Sequence, residues 1–238
     1  MLELKNVSYV VQELGQEKVI LDNISCVFDD KNIVAITGHN GSGKSSLTKI
    51  IMGIIKPTSG EILYNGINIT NMEIDERARL GLNYAFQQPI LFDGITVKDL
   101  IDIATNEVNS VSKACEYLSV VGLCAKEYIN REFNKTLSGG EQKRIELALA
   151  LAKTGDCLIF DEPEAGIDLW SFERLSSLFN KNKTYIIVSH QEKLIAIADK
   201  IMVMKDGKID KFDNANKVLK LLNFNKCSKI KEANDEIR

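Results

Sequence analysis

Residues 38–45 read GHNGSGKS and match the pattern G-x-x-x-x-G-K-[ST] at every fixed position. The apolar run KNIVAIT precedes this match and predicts a strand, and LTKIIMGII follows it and predicts a helix that ends before Pro57. Glycines at such a junction let successive backbone N–H groups face one phosphate, and the helix adds its positive N-terminal end. This context predicts a strand–loop–helix unit that binds the phosphates of a nucleotide. A glycine-rich turn without a ligand is the alternative.

Nucleotide contacts are expected from nine consecutive residues of this loop and the start of its helix. Lys44 would reach the β- and γ-phosphates, and the Ser45 hydroxyl would bind Mg²⁺. His39 occupies a free position of the pattern and receives no chemistry of its own. The nine candidates are Gly38, His39, Asn40, Gly41, Ser42, Gly43, Lys44, Ser45 and Ser46.

A second candidate site is CLIFDE at residues 157–162, an apolar run that ends in two adjacent carboxylates. Open α/β sheets bind ligands at the carboxyl ends of their strands, so acidic residues there point to chemistry. Asp161 suits the role of holding Mg²⁺ through water, and Glu162 is placed to polarise the attacking water. An acidic strand end that is merely solvated is the alternative.

The order of the predicted elements favours an α/β fold. Residues 2–11 and 18–28 predict a hairpin, and SGEILYNGINI, from Ser59, predicts a second strand pair. The pattern is helical from about 90 to 136, and strands and helices then alternate, which predicts a mostly parallel sheet with helices on its faces. We expect a short helix and a frayed tail after Asp213.

Composition argues against several classes of protein. The 238 residues carry 30 Lys+Arg and 33 Asp+Glu, a net charge of -3, so no overall basic field attracts nucleic acid or anionic lipid. The five cysteines form no C-x-x-C pair, which fits reduced thiols better than disulfides or a metal knuckle. No apolar run approaches about 18 residues and no signal-peptide pattern opens the chain, so we expect a cytoplasmic protein without direct membrane insertion.

Four motifs, in this order and spacing, resemble those of ATP-binding cassette (ABC) ATPases: GHNGSGKS, LSGGE at 137–141, DE at 161–162 and VSH at 188–190. The resemblance covers residues 1 to about 212. It implies an α/β P-loop NTPase fold, in which an ABC-type nucleotide-binding domain has an N-terminal antiparallel β-subdomain and a helical subdomain, about 90–136, inserted in a RecA-like core. It also implies one domain over 1–225, a polar tail over 226–238, and hydrolysis of ATP with Mg²⁺ as cofactor.

The LSGGE stretch departs from the family's LSGGQ signature motif at its fifth residue, Glu141. The resemblance implies that Ser138, Gly139, Gly140 and Glu141 meet the γ-phosphate of ATP bound to a second copy of the chain. The glycines would then allow the backbone to approach phosphate, at a cost in helix stability. Ser138 would also cap its helix, and a capping box without any ligand is the alternative.

Three further residues take roles from the resemblance. Gln87, in AFQQP, would bind Mg²⁺ and sense the attacking water, and Asp168, in AGID, would cross the dimer interface. His190 would hydrogen-bond the γ-phosphate and position the water, a core histidine being the alternative. Many transport cassettes stack an aromatic on adenine where this chain has Val11; Tyr9, on the same strand face, could substitute or could simply pack.

Three stretches bear on the partner: DERARLGLNYAFQQP at 75–89, the E-x-K-R that follows the two glycines, and DEPEAGID followed by LWSF. They resemble the SUF iron–sulfur assembly ATPases of the SufC group. We therefore expect ATP-driven dimerisation to move a soluble SufB-like scaffold. The alternative is the ATP-binding subunit of a membrane transporter, whose helical subdomain contacts a permease. Both use the same chemistry, so the catalytic motifs do not separate them.

Overall fold

Two β-sheets form the centre of the computed structural model, which describes residues 1–13, 15–107, 111–164, 179 and 182–221. One sheet has four strands and the other has six. Buried side chains of both sheets share one hydrophobic cluster, which includes Leu4 from the smaller sheet and Ile36 from the larger. Within these ranges, no helix combines the length and the hydropathy needed to cross a membrane.

The smaller sheet is antiparallel and contains β1 (Leu2–Glu13), β2 (Gln16–Phe28), β4 (Ser59–Tyr64) and β5 (Ile67–Asn68), in the order β2-β1-β4-β5. β1 and β2 form the predicted hairpin but extend beyond the predicted 2–11 and 18–28, because pairing continues to Glu13 and Gln16. The residues at this end of the hairpin are exposed. Polar side chains are therefore compatible with pairing here, and the hairpin is longer than the sequence pattern predicts.

The larger sheet contains β3 (Ile33–Gly38), β6 (Leu82–Ala85), β7 (Cys157–Asp161), β8 (Thr184–Val188), β9 (Lys200–Lys205) and β10 (Lys208–Asn214). Its order is β10-β9-β3-β8-β7-β6, and every adjacent pair is parallel except β10 with β9. The parallel strands therefore end at one edge, where the predicted motifs follow β3, β6, β7 and β8.

β10 is absent from the predicted elements. Asp206 and Gly207 both take positive φ angles, 48° and 75°, and turn the chain so that β10 pairs with β9. The chain stays extended to Asn214, and residues 215–221 are helical. The helix expected after Asp213 is thus confirmed, while the expected tail lies outside the described residues.

The described helices with defined ends are α1 (Lys44–Met52), α2 (Ile74–Arg79), α3 (Val97–Thr105), α4 (Val111–Val120), α5 (Ala125–Tyr128), α6 (Gly139–Ala152) and α7 (Glu192–Ala196). α1 ends at Met52, before the predicted Ile55, because Gly53 takes a left-handed conformation (φ 83°) as its C-cap. FERLSSLFNK at 172–181, one of the helices that the alternating pattern predicts, lies outside the described residues except for Phe179.

The segment between β6 and β7 contains α3, α4 and α5, where the sequence predicts a helical subdomain. Ile101 of α3 and Leu118 of α4 share a buried hydrophobic cluster with Ile145 of α6 and Tyr185 of β8. α6 therefore joins the helical segment to the larger sheet. The division into a domain over 1–225 and a tail over 226–238 stays a prediction, since the described chain ends at residue 221.

Candidate functional site

The phosphate loop connects β3 to α1 and is held by close backbone contacts with other strands. Gly38 has φ 142°, and a Cβ atom there would lie 2.1 Å from the carbonyl oxygen of Met204 in β9. Gly43 has φ 96°, and a Cβ atom there would lie 2.6 Å from a methyl group of Leu21 in β2. Only glycine fits these two positions, so neighbouring strands on both sides define the shape of the loop.

The Lys44 side chain curls over this loop. Its Nζ atom donates hydrogen bonds to the carbonyl oxygens of Gly38 (2.9 Å) and His39 (2.8 Å). Burial lowers the pKa of Lys44, and the carboxylates of Glu162 and Asp161 oppose that shift. A cation is thus held against the loop, close to two acidic residues, where the charge of a phosphate would be matched.

An unpaired polar atom shows that the loop fits an anion. Ser42 Oγ is buried and has no hydrogen-bond partner in the part of the chain that the structure describes. Buried hydroxyls without partners are rare in proteins, and a phosphate oxygen would satisfy this one. The remaining loop residues, His39, Asn40 and Gly41, are exposed, while Ser46 is half-buried in the first turn of α1. The loop therefore offers both donors and access.

Asp161 ends β7 beside the first turn of α1. Its Oδ1 atom accepts a hydrogen bond from Ser45 Oγ (2.9 Å), and its Oδ2 atom accepts one from the Tyr84 hydroxyl (3.0 Å). Burial and the Asp161 charge raise the pKa of Tyr84, which therefore stays a donor. The side-chain oxygens of Ser45 and Asp161 are hard ligands of the kind that Mg²⁺ prefers, so the structure brings together two of the three predicted metal ligands.

The Glu162 carboxylate connects the three loops that follow β6, β7 and β8. Gln87 Nε2 donates a hydrogen bond to Glu162 Oε2 (2.7 Å), and His190 Nε2 lies 3.9 Å from Glu162 Oε1. The His190 side chain is 42% exposed, which argues against a core histidine. Glu162 also has φ 49°, a backbone conformation that non-glycine residues rarely adopt and that occurs at functional sites. A carboxylate in this position can accept a proton from water.

Sequence reasoning missed Glu164, which holds the loop carrying His190. Its Oε1 atom accepts hydrogen bonds from Ser189 Oγ (2.5 Å) and from the backbone N–H of His190 (3.3 Å). Ser189 is fully buried, and its Oγ atom also accepts from the N–H of Gln191. The one indication in the sequence is the DEPE motif, which has an acidic residue two positions after Glu162. The neighbouring residues do not indicate that Glu164 bonds to Ser189.

A buried ion pair, Lys143 with Glu146, was also missed. The two side chains lie one turn apart on α6, with Nζ 2.9 Å from Oε2, and Lys143 is 1% exposed. Glu146 Oε1 accepts a hydrogen bond from the N–H of Phe86 (2.8 Å), while Lys143 Nζ donates to the carbonyls of Phe86 and Gln87. The pair therefore holds the backbone at the start of the loop that carries Gln87. The i, i+3 spacing of Lys143 and Glu146 on a predicted helix is the sequence pattern that indicates this ion pair.

The signature segment forms the start of α6. Ser138 is the N-cap of α6, and a capping box with Glu141 is formed: Oγ accepts from the Glu141 N–H (3.4 Å) and Glu141 Oε2 accepts from the Ser138 N–H (2.7 Å). A Cβ atom at Gly139 would meet no other atom within 4 Å. Packing within the described chain therefore does not require glycine there. The described side-chain bonds of Ser138 and Glu141 join them to each other, to Tyr128 and to Arg131.

Two predicted contacts remain without structural support. Asp168 lies outside the described residues. Tyr9 is half-buried and packs against the hydrophobic cluster shared by the two sheets, which is what the packing alternative predicts. Its stacking on adenine stays a prediction.

Known proteins resemble this chain along most of its length. Residues 21–165 match the family described as "ABC transporter". The "Uncharacterized ABC transporter ATP-binding protein MJ0035" of Methanocaldococcus jannaschii is 37% identical, over 84% of this chain and 84% of the relative. The "Energy-coupling factor transporter ATP-binding protein EcfA2" of Caldanaerobacter subterraneus is 34% identical, over 88% of this chain and 77% of the relative.

Solved structures agree with these relatives. One is the dimeric post-hydrolysis structure of the ATP-binding cassette MJ0796 bound to ADP and Pi, which has a TM-score of 0.81 and is 26% identical in sequence. The alignment covers 90% of this chain and 99% of the MJ0796 chain. The predicted fold is thereby confirmed. The relatives' names describe ATP-binding proteins of transporters and give no support to the expected SufC-type assignment, so they favour the permease alternative.

Proposed function

Because this chain belongs to the ABC transporter family, we propose that it is the ATP-binding subunit of a transporter and moves a membrane permease by hydrolysing ATP as a dimer. The chain is an ATPase of the cassette type, with ATP as its nucleotide and Mg²⁺ as its cofactor. The observation that carries the proposal is the Glu162 carboxylate, which lies beside both Gln87 and His190 at the edge of the sheet.

Each side chain of the site has one part in the proposed reaction. Lys44 and the N-terminus of α1 bind the charge of the triphosphate. Ser45, Asp161 and Gln87 would hold Mg²⁺, which when bound neutralises phosphate charge and orients the γ-phosphate. Glu162 would orient a water molecule and take its proton as the water attacks, and His190 would contact the γ-phosphate. Gln87, bonded to Glu162, would link this step to the helical segment.

A second copy of the chain would complete the site. Ser138 and Gly139 are exposed, and the glycine is not explained by packing inside the described chain. The MJ0796 structures, which cover 90% of this chain, are dimeric. Both observations support a dimer in which the signature segment of one copy meets the phosphates bound to the other. The role of Asp168 at that interface is part of the same proposal.

The relatives' names favour a permease as the partner, because they describe ATP-binding proteins of transporters. A SufB-like scaffold is the second candidate, supported by the resemblance of residues 75–89 and of the E-x-K-R and DEPEAGID stretches to SUF ATPases. The two candidates share the hydrolytic site and differ only in what the dimer moves. The test must therefore identify the partner as well as the chemistry.

Glu162→Gln tests the chemistry. The variant should bind ATP, lose about 10² to 10⁴ in turnover because the proton acceptor is gone, and accumulate an ATP-dependent dimer. Phosphate release measures turnover, and size-exclusion chromatography with and without Mg²⁺-ATP measures the dimer. Glu17→Gln, the same change on the exposed end of the hairpin, is the control and should behave as wild type. Wild-type turnover in Glu162→Gln would refute the assignment.

The trapped variant also serves to identify the partner. Glu162→Gln with ATP should hold the complex in one state, so that affinity purification from detergent-treated native cells recovers the partner. A polytopic membrane protein is the expected result. Recovery of a soluble scaffold from the aqueous fraction would instead establish the second candidate.

A further inference from the structure

The Glu141 carboxylate raises an electrostatic problem at the signature segment. Under the proposed function, on which this inference rests, the start of α6 approaches the triphosphate bound to a second copy. A carboxylate three residues after Ser138 would then lie close to a highly charged anion. Like charges in a partly desolvated interface repel strongly, because the effective dielectric constant there is well below that of water. The fold must compensate this charge if the dimer is to close.

Protonation does not remove the charge of Glu141. Its Oε1 atom accepts a hydrogen bond from the Tyr128 hydroxyl (2.6 Å), and its Oε2 atom accepts one from the Ser138 N–H (2.7 Å). These bonds, with that of Tyr128 the largest cause, lower the pKa of Glu141 to about 2. The carboxylate is therefore ionised at neutral pH in the single chain, so it brings to the interface a negative charge that a cation can compensate.

Arg131 is that cation. Its NH1 atom lies 3.4 Å from Glu141 Oε1, and its guanidinium carbon lies 5.2 Å from the centre of the Tyr128 ring. The ring and the carboxylate together fix a side chain that is otherwise 39% exposed. Tyr128 ends α5 and Arg131 follows it in the loop toward α6. A short segment of the helical region thus contributes both groups that engage the Glu141 carboxylate.

We propose that Arg131 neutralises Glu141 and thereby makes the signature end of α6 compatible with the phosphates of ATP on a second copy. Tyr128 keeps the carboxylate bonded on the side of Arg131, and the capping box connects that carboxylate to Ser138. Arg131 is a positioning residue in this scheme, since it acts through Glu141. The scheme explains how this chain uses glutamate where the family motif has glutamine.

The proposal predicts a charge-specific rescue in ATP-dependent dimerisation. In a Glu162→Gln background, Arg131→Gln should raise the ATP concentration at half-dimerisation about tenfold, because an unpaired carboxylate then faces phosphate. Adding Glu141→Gln should restore the value to within about twofold, since the unpaired charge is gone. High salt should reduce the Arg131→Gln defect by screening it. Arg79→Gln, which breaks an exposed ion pair with Asp75, is the matched control and should change nothing.

Sedimentation velocity at graded ATP concentrations measures all of these variants, with circular dichroism as a check on folding. Arg131→Lys keeps the charge and should dimerise within about threefold of the parent. If Arg131→Gln fails to fold, Glu141→Gln alone still tests the proposal: it should dimerise at the same ATP concentration as the parent or a lower one.

The outcomes separate this inference from the proposed function. If the Glu162→Gln parent shows no ATP-dependent dimer, the proposed function and this inference both fall. If the parent dimerises but Arg131→Gln matches it, only the inference is wrong. An Arg131→Gln defect that Glu141→Gln does not relieve would also overturn it, because Arg131 would then act through the local structure and not through charge.

Discussion

Individual side chains at the site are held by partners that come from distant parts of the sequence. Asp161 is 1% exposed, and its two oxygens accept from Ser45 and Tyr84, hydroxyl groups that lie on α1 and β6. Hydrogen bonds to both oxygens hold this buried carboxylate in position. The hydroxyl of Tyr84 therefore supports the carboxylate that we propose as a ligand of Mg²⁺, and Ser45 keeps its own bond to the other oxygen.

Tyr84→Phe should lower the free energy of unfolding by about 1–3 kcal/mol, because Asp161 Oδ2 loses a buried donor while the ring packing is kept. Tyr84 also lies edge-on to Phe86, with ring centroids 4.9 Å apart, and phenylalanine retains that contact. Urea unfolding measures the change. The control is Tyr117→Phe, a partly exposed tyrosine of α4, which should cost less than about 0.5 kcal/mol. Equal costs for the two variants would contradict the role given to the Tyr84 hydroxyl.

At the scale of elements, α6 supports the edge strand of the larger sheet. β6 has a neighbour on one side only, β7, and the backbone of Phe86 just beyond it bonds to the side chains of Lys143 and Glu146. Burial raises the pKa of Glu146, and the charge of Lys143 opposes that shift. Lys143 and Glu146 of α6 thus bond to the backbone groups of Phe86 that no neighbouring described strand pairs with.

Lys143→Met should destabilise the protein by about 3–5 kcal/mol, because the Glu146 carboxylate stays buried without its cation. The double variant Lys143→Met/Glu146→Leu should recover part of that loss, since removing both charges also removes their desolvation cost. Urea unfolding of the two variants gives the comparison. A single variant as stable as wild type would show that the pair contributes nothing net. Lys113→Met, which breaks the less buried pair of Lys113 with Glu116 at the same i,i+3 spacing on α4, is the control.

Local sequence predicted elements better than it predicted their ends. The phosphate loop, the DE pair after β7 and the capping box at Ser138 follow from short patterns, because backbone geometry at those points depends on adjacent residues. The extent of the hairpin does not follow from a short pattern, because exposed polar residues can pair as strands without an apolar pattern that marks them. The roles of Glu164 and of the Lys143 and Glu146 pair were missed for a similar reason. Glu164 bonds to Ser189 and Glu146 bonds to Phe86, and these tertiary contacts join residues more than 20 positions apart.

Arg77 is a further residue whose contacts local sequence does not predict. Its position in a charged stretch suggests a solvated side chain, yet it is fully buried. Its guanidinium group donates to the carbonyls of Ile50 and Ile51 at the end of α1, and to that of Thr70. The C-terminus of the helix that begins at the phosphate loop is therefore capped by a residue of a different element, and no local pattern reports such a cap.

At the scale of the whole molecule, the proposed function divides the reaction site between two copies of the chain. The phosphate loop, Asp161 and Glu162 lie at the edge of the larger sheet, while Ser138 and its neighbours bond only within α6 and the preceding segment among the described contacts. Hydrolysis by the proposed route therefore depends on association, and the rate should rise with protein concentration.

Ser138→Arg should abolish ATP-dependent dimer closure while ATP binding to the monomer stays intact, because the exposed position at the start of α6 would carry a bulky side chain toward the second copy. Calorimetry measures ATP binding, and size-exclusion chromatography in a Glu162→Gln background measures closure. Ser112→Arg, on the exposed surface of α4, is the control. A normal closed dimer with arginine at 138 would show that this segment does not meet the second copy.

The clamping of the phosphate loop between two sheets has a thermodynamic consequence. Gly38 lies against Met204 of the larger sheet, and Gly43 lies against Leu21 of the smaller one, so we expect the loop to keep its binding shape only while both sheets are docked. Any ligand that selects this shape must stabilise the junction by mass action, and its affinity is lost wherever the docking is lost. A bound nucleotide should therefore stabilise the contact between the two sheets, and unfolding of either sheet should release it.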